Sequence, residues 1–86
     1  MNFEQQLICE ALNGAEIEFD INDIYNMEMD ADYLNFAIKG AAESYFIRLW
    51  DMNDWDDKVV IEYSLYKANI MGSADMLFDN IYIAKR

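Results

Sequence analysis

The chain contains no histidine, no proline, one cysteine and three glycines in 86 residues, and its six Lys and Arg are outnumbered by 17 Asp and Glu. Each scarcity removes a class of chemistry. Without histidine there is no general base of the commonest kind, no usual zinc ligand, and no Ser–His or Cys–His nucleophile system. A lone Cys9 among apolar helical neighbours cannot close an internal disulfide, which points to a buried thiol in a reducing compartment. Gly14, Gly40 and Gly72 stand far apart, so no glycine-rich phosphate loop is expected. No run approaches the ~18 apolar residues of a membrane span, and Met1-Asn2-Phe3-Glu4 lacks the basic start and apolar stretch of a signal peptide. The expectation is a cytoplasmic protein without cofactor, metal or membrane contact.

What the chain does hold is apolar filling. It is 55% hydrophobic, with two Trp, six Tyr and five Phe, too much for an acidic disordered tail. The length suits one small domain over 1–86, and large aromatic side chains help a domain of this size build a sufficient core.

Phe3, Leu7, Ile8, Ala11 and Leu12 recur at helical spacing, with Asn2 and Gln5 placed for a capping box. Asn13-Gly14 is the expected stop, with glycine in the left-handed position. The period then becomes two. Ile17, Phe19 and Ile21 alternate with Glu16, Glu18 and Asp20, predicting a strand over 15–21. Tyr25, Met27 and Met29 predict a second strand, with a short helical turn as its rival. Leu34, Phe36 and Ile38 predict another, and Tyr45, Ile47 and Leu49 its hairpin partner. Residues 51–57 read as an acidic loop, Val59 to Leu65 as a long strand, and 68–74 as a second loop. Residues 76–84 fit a strand or a helix, and the Ile81-Tyr82-Ile83 ending favours the strand. The predicted fold is α+β: an N-terminal helix packed on an antiparallel sheet of four to six strands, connected as a meander.

Charge is unevenly distributed. Residues 1–38 hold nine acids and no Lys or Arg, while the remaining 48 hold eight acids and all six bases. If Ile17 and Phe19 face inward, Glu16, Glu18 and Asp20 share the other side about 6.6 Å apart. Their mutual repulsion is only roughly 0.6 kcal/mol per pair in water, so such a face is tolerable whether it is used or merely solvated. Used, it would join Asp23, Glu28, Asp30 and Asp32 in engaging a basic protein. Direct nucleic-acid binding is opposed by the net charge of −11.

A second candidate surface is aromatic. With Tyr45, Ile47 and Leu49 inward, Phe46, Arg48 and Trp50 point outward, Trp55 follows in the next loop, and Val60 and Tyr66 lie beside them on the following strand with Glu62 between them. Aromatic residues with arginine are what interface cores are enriched in. Either another element covers this face, or it takes a partner or a second copy in a homodimer.

Asp51, Asn53 and Glu62 imitate a calcium loop, but Trp55 and Asp56 occupy its fifth and sixth positions. Catalytic carboxylate pairs are too easily found by chance among 17 acids to indicate an enzyme. The expected function is therefore a non-enzymatic acidic binding or inhibitor protein. It would engage a basic nuclease or nucleic-acid-binding effector by charge and shape, as a nucleic-acid mimic. In size and charge the chain resembles small acidic phage anti-defence proteins, anti-CRISPR proteins among them. Two alternatives are an immunity protein or antitoxin against a basic nuclease, and an oligomeric assembly subunit using the aromatic face, with the acids serving solubility alone.

Overall fold

Helix α1 (Phe3–Gly14) begins where the capping signal places it. In the computed structural model, which describes residues 2–69 and 71–85, the Asn2 side-chain oxygen accepts the Gln5 N–H at 2.8 Å, and Gln5 Oε1 accepts the Asn2 N–H at 3.1 Å. The other end departs from expectation. Gly14 stays helical, and the left-handed residue is Glu16, with φ of 59°. The Ile17 N–H donates to the Leu12 carbonyl and the Glu16 N–H to that of Asn13, which is the hydrogen-bond pairing of a Schellman cap. Glycine is needed at 14 for a different reason: a Cβ there would run into the ring of Phe78.

Glu16 therefore occupies a conformation that disfavours any residue with a Cβ. Replacing it by glycine is expected to raise stability by about 0.5–1 kcal/mol, the relief outweighing glycine's extra unfolded-state freedom. Urea unfolding measures it. A loss of stability would mean that the Glu16 side chain contributes something its exposed position does not suggest.

The strand expected over 15–21 is absent, which corrects the sequence reading. These residues run unpaired to a 3-10 turn at Ile21–Asp23. Geometry explains why. The helix ends against Phe78 of the last strand, whereas the first strand lies at the opposite sheet edge. The connection must cross about four strand spacings, roughly 19 Å. A segment crossing the strands cannot join their ladder. It still buries alternate residues: Ile17, Phe19 and Ile21 pack on the core while Glu16, Glu18 and Asp20 are exposed. Residues 15–23 thus form a strap over the helix side of the sheet.

The sheet contains β1 (Ile24–Asp30), β2 (Tyr33–Ile38), β3 (Ser44–Trp55), β4 (Lys58–Ala68) and β5 (Ala74–Lys85), in the order β1-β2-β3-β4-β5 with every neighbour antiparallel. The fold is α+β, a helix on a five-stranded meander, as expected. Residues 76–84 are strand. The acidic loop expected over 51–57 is instead the far end of β3, turning only at Asp56–Asp57, and Trp55 belongs to that strand. Asp51 to Asp54 pair with Glu62 to Val59. Ladder bonds to an apolar partner strand outweigh the weak strand preference of Asp and Asn. Asp51, Asn53 and Glu62 accordingly sit on paired strands and not in a cation loop.

One face of the sheet is the core. Leu34, Phe36, Ile38, Tyr45, Ile47, Ile61, Tyr63 and Leu65 meet Leu7, Ile8, Ala11 and Leu12 of the helix. Among the described residues no helix is long and apolar enough to cross a membrane.

Candidate protein-binding face

The helix and strap cover one side of the sheet, which leaves the other side exposed. Strand alternation sends Phe46, Arg48 and Trp50 outward from β3, and the register sets Phe46 between Asn35 and Tyr66 and Arg48 between Tyr33 and Ser64. The side chains form a connected row. The Phe46 and Tyr66 rings stack 4.8 Å apart at 11°, and Tyr33 meets Phe46 edge-on at 5.8 Å. The Arg48 guanidinium lies 4.1 Å over the Trp50 ring and 5.3 Å from that of Tyr33, and its Nη1 donates to the Tyr33 hydroxyl at 2.9 Å. Its Nε is enclosed without a hydrogen-bond partner. Stacked between two rings, the guanidinium is fixed as part of the surface.

Trp50 sits at a bulge where β3 shifts register between Leu49 and Asp51. The extra residue re-aims the strand, and the indole N–H donates to the buried Ser64 hydroxyl at 2.8 Å while half the residue remains exposed. Beyond it a shallow groove of about 490 Å³ is lined by Trp50, Glu62, Tyr66, Met76, Asp79 and Ile81. Asp51 lies directly across from Glu62, and Asp79 is one position further on the same face. Like charges placed opposite each other destabilise a sheet slightly; the Asp51 carboxylate accepts from the Met52 N–H and from Asn53 Nδ2, each at 3.0 Å.

Of the residues singled out in the sequence, Phe46, Arg48, Trp50 and Tyr66 come together. Trp55 does not: it is 63% exposed at the hairpin tip opposite Lys58, nine residues and about 30 Å along the strand from Phe46. The seven acids divide as well. Glu16, Glu18 and Asp20 lie on the strap, on the helix side. Glu28 and Asp30 pair with Asn35 and Tyr33, on the aromatic side. Asp23 and Asp32 occupy turns at opposite ends of β1, their carbonyls accepting from the N–H groups of Lys39 and Leu49. Glu62, expected outward between Val60 and Tyr66, is on this face; sequence reasoning missed Tyr33, Ser64 and Asp79, which join it only through cross-strand register.

On the opposite, core side, Tyr63 is fully buried and its hydroxyl has no hydrogen-bond partner. Burial, reinforced by the nearby charge of Glu10 and by Tyr82, pushes its pKa from 10 to about 12. The folded protein holds the neutral phenol, so this contribution to stability is complete below pH 10 and declines as pH rises from 10 through 12. Tyr63→Phe removes an unsatisfied polar atom at little cost in volume. It is expected to unfold at equal or higher temperature at neutral pH, by up to about 1 kcal/mol, and to lose less stability than the parent between pH 10 and 12. A lower melting temperature would show that the hydroxyl is bonded, for instance to water. Cys9, expected to be buried, is half-buried, and that burial raises its thiol pKa, favouring the thiol over the thiolate.

No family model, curated protein or solved structure matches the chain.

Proposed function

We propose that the protein is a non-catalytic binding protein that seats a basic, nucleic-acid-handling protein on its uncovered sheet face. The observation that supports this above others is the row Tyr33–Phe46–Tyr66 with Arg48 and half-exposed Trp50, bordered by Glu28, Asp30, Asp51, Glu62 and Asp79. Rigid aromatic rings and a pre-positioned arginine are the residue types that dominate binding energy at interfaces. Carboxylates around them steer a cationic partner and raise its association rate. The Lys and Arg side chains that a nuclease or effector uses to grip phosphate would meet these carboxylates, and nucleic acid would be excluded by competition. A phage anti-defence protein and an immunity protein against a basic nuclease would both act in this way. The strap acids Glu16, Glu18 and Asp20 add long-range attraction from the other side of the molecule.

Capture from a host lysate tests this. Basic nucleic-acid-binding proteins are expected at low salt, to be lost as salt rises, and to be displaced by added duplex DNA. Reversing Asp51 and Glu62 to Lys is expected to abolish capture, while reversing Glu16, Glu18 and Asp20 weakens it only several-fold. The opposite ranking would move the contact to the strap. Capture unaffected by either set would leave the acids as solubilising groups, and the sheet face as an assembly surface.

A further inference from the structure

The two edges of the sheet are built differently. Edge strands expose unpaired backbone groups, and proteins usually blunt them with bulges, charges or proline. β1 is blunted: its register slips between Tyr25 and Glu28, Asn26 is left-handed with φ of 56°, and Glu28 and Asp30 follow. β5 is not. It is twelve residues long, its one register shift lies near its start opposite Leu65 and Tyr66, and the ladder runs without interruption from Phe78 to Lys85. Ile81 and Ile83, on the aromatic side of the sheet, are 55% and 58% exposed.

The same stretch, Asp79-Asn80-Ile81-Tyr82-Ile83-Ala84-Lys85, is self-complementary about its central tyrosine. We propose that a second copy of the chain pairs with this edge, β5 to β5 and antiparallel about Tyr82, joining two five-stranded sheets into one. In that register Asp79 of each copy faces Lys85 of the other, and Ile81 faces Ile83, all on the aromatic side. Tyr82 faces Tyr82 on the core side, flanked by Asn80 against Ala84. Shifting the axis to Ile81 would set Asp79 against Ile83, and shifting it to Asp79 would set that carboxylate against itself. An axis between two residues would bring opposite faces together. An axis at Asn80 would bring Lys85 to Asp75, but only across the register shift near the start of β5, so within the uninterrupted ladder from Phe78 to Lys85 the Tyr82 axis alone pairs opposite charges. Lys85 supplies a further reason: within its own sheet it stands directly across from Lys58, so an aspartate arriving on its open side offsets a like-charge pair.

A charge-reversal series on the full chain, followed by sedimentation equilibrium from micromolar to millimolar concentration, tests the pairing. The parent protein is expected to form dimers. Asp79→Lys and Lys85→Asp, each converting two attractions into two repulsions, are each expected to weaken self-association by about 30-fold. The double reversal is expected to restore it. Circular dichroism of every variant separates lost pairing from lost folding, and the recovered double variant excludes general damage. Amides of residues 79–85 should gain exchange protection as concentration rises. A monomer at every concentration overturns the proposal, and so do single reversals without effect or a folded double reversal that stays monomeric. Dimers lost through Phe46→Ser or Trp50→Ser while the reversals are silent would place the contact on the sheet face and overturn it equally. Because the readout is self-association, failure here leaves the basic-partner reading standing, and the lysate capture can fail with the dimer intact.

Discussion

Truncating Leu12 to alanine is expected to remove about 3 kcal/mol of stability, the largest loss among the substitutions considered for this protein. Leu12 is completely buried, and with Leu7, Ile8 and Ala11 it supplies the fully buried anchorage of α1 on β4 and β5. A domain of this length holds roughly 4–13 kcal/mol in total, so one such cavity consumes a quarter or more of it. The bond that Leu12's own carbonyl accepts from the Ile17 N–H would survive the change, since it is backbone to backbone. The cost is therefore the transfer of the lost atoms and the void they leave. Urea unfolding with an unchanged slope would give the value directly. A loss under about 1 kcal/mol would mean that the helix does not rest on the sheet as described. The same truncation at exposed Met76 is expected to shift stability by no more than ~0.5 kcal/mol.

That contrast divides the molecule by function. The helix, the strap and one sheet face carry folding. The other face holds half-buried and exposed side chains, so substitutions at its exposed positions are expected to cost little stability. A one-sided sheet of this kind normally leaves a solvated polar face. Here that face holds a stacked phenylalanine and tyrosine, a half-exposed tryptophan and a ring-held arginine instead.

Much of this was legible from residue order alone, and the failures share one physical origin. Helix start, fold class, the inward residues of β2 to β4 and the outward direction of Phe46, Arg48, Trp50 and Tyr66 follow from local chemistry: a side-chain cap and the two periods of helix and strand. What was misread depended on partners distant in sequence. The alternation of Ile17, Phe19 and Ile21 reports which side is buried, and it cannot report whether a ladder lies alongside. The carboxylates of Asp51 and Asp54 suggest a loop until Val59 to Glu62 are known to pair with them. Tyr33, Ser64 and Asp79 look ordinary until register sets them beside Arg48, Trp50 and Glu62. The acids of the first 38 residues are close in the chain, but those of the strap lie on the helix side of the sheet and Glu28 and Asp30 of β1 on the aromatic side.

Gly14 shows the same dependence and offers a sharp test of it. Judged by local propensity, Gly14→Ala should help: the residue is helical, its φ is not positive, and alanine is favoured over glycine in a helix by about 1 kcal/mol. Against that stands the Phe78 ring, whose outer carbons occupy the position of the new methyl group. Forced overpacking typically costs about 1–3 kcal/mol. Phe78 lies on the edge strand and is only partly buried, so its ring can swing but not withdraw without opening the core beside Tyr63, 6.3 Å away centroid to centroid. The net expectation is a loss of about 1–2 kcal/mol. Phe78→Leu, which removes the colliding end of the ring, should cost something alone and yet rescue the alanine. The double variant is then expected to be more stable than the sum of the two single effects by about 1–2 kcal/mol. Simple additivity in a thermal or urea cycle would mean that the two residues do not touch, and that the helix end lies elsewhere on the sheet.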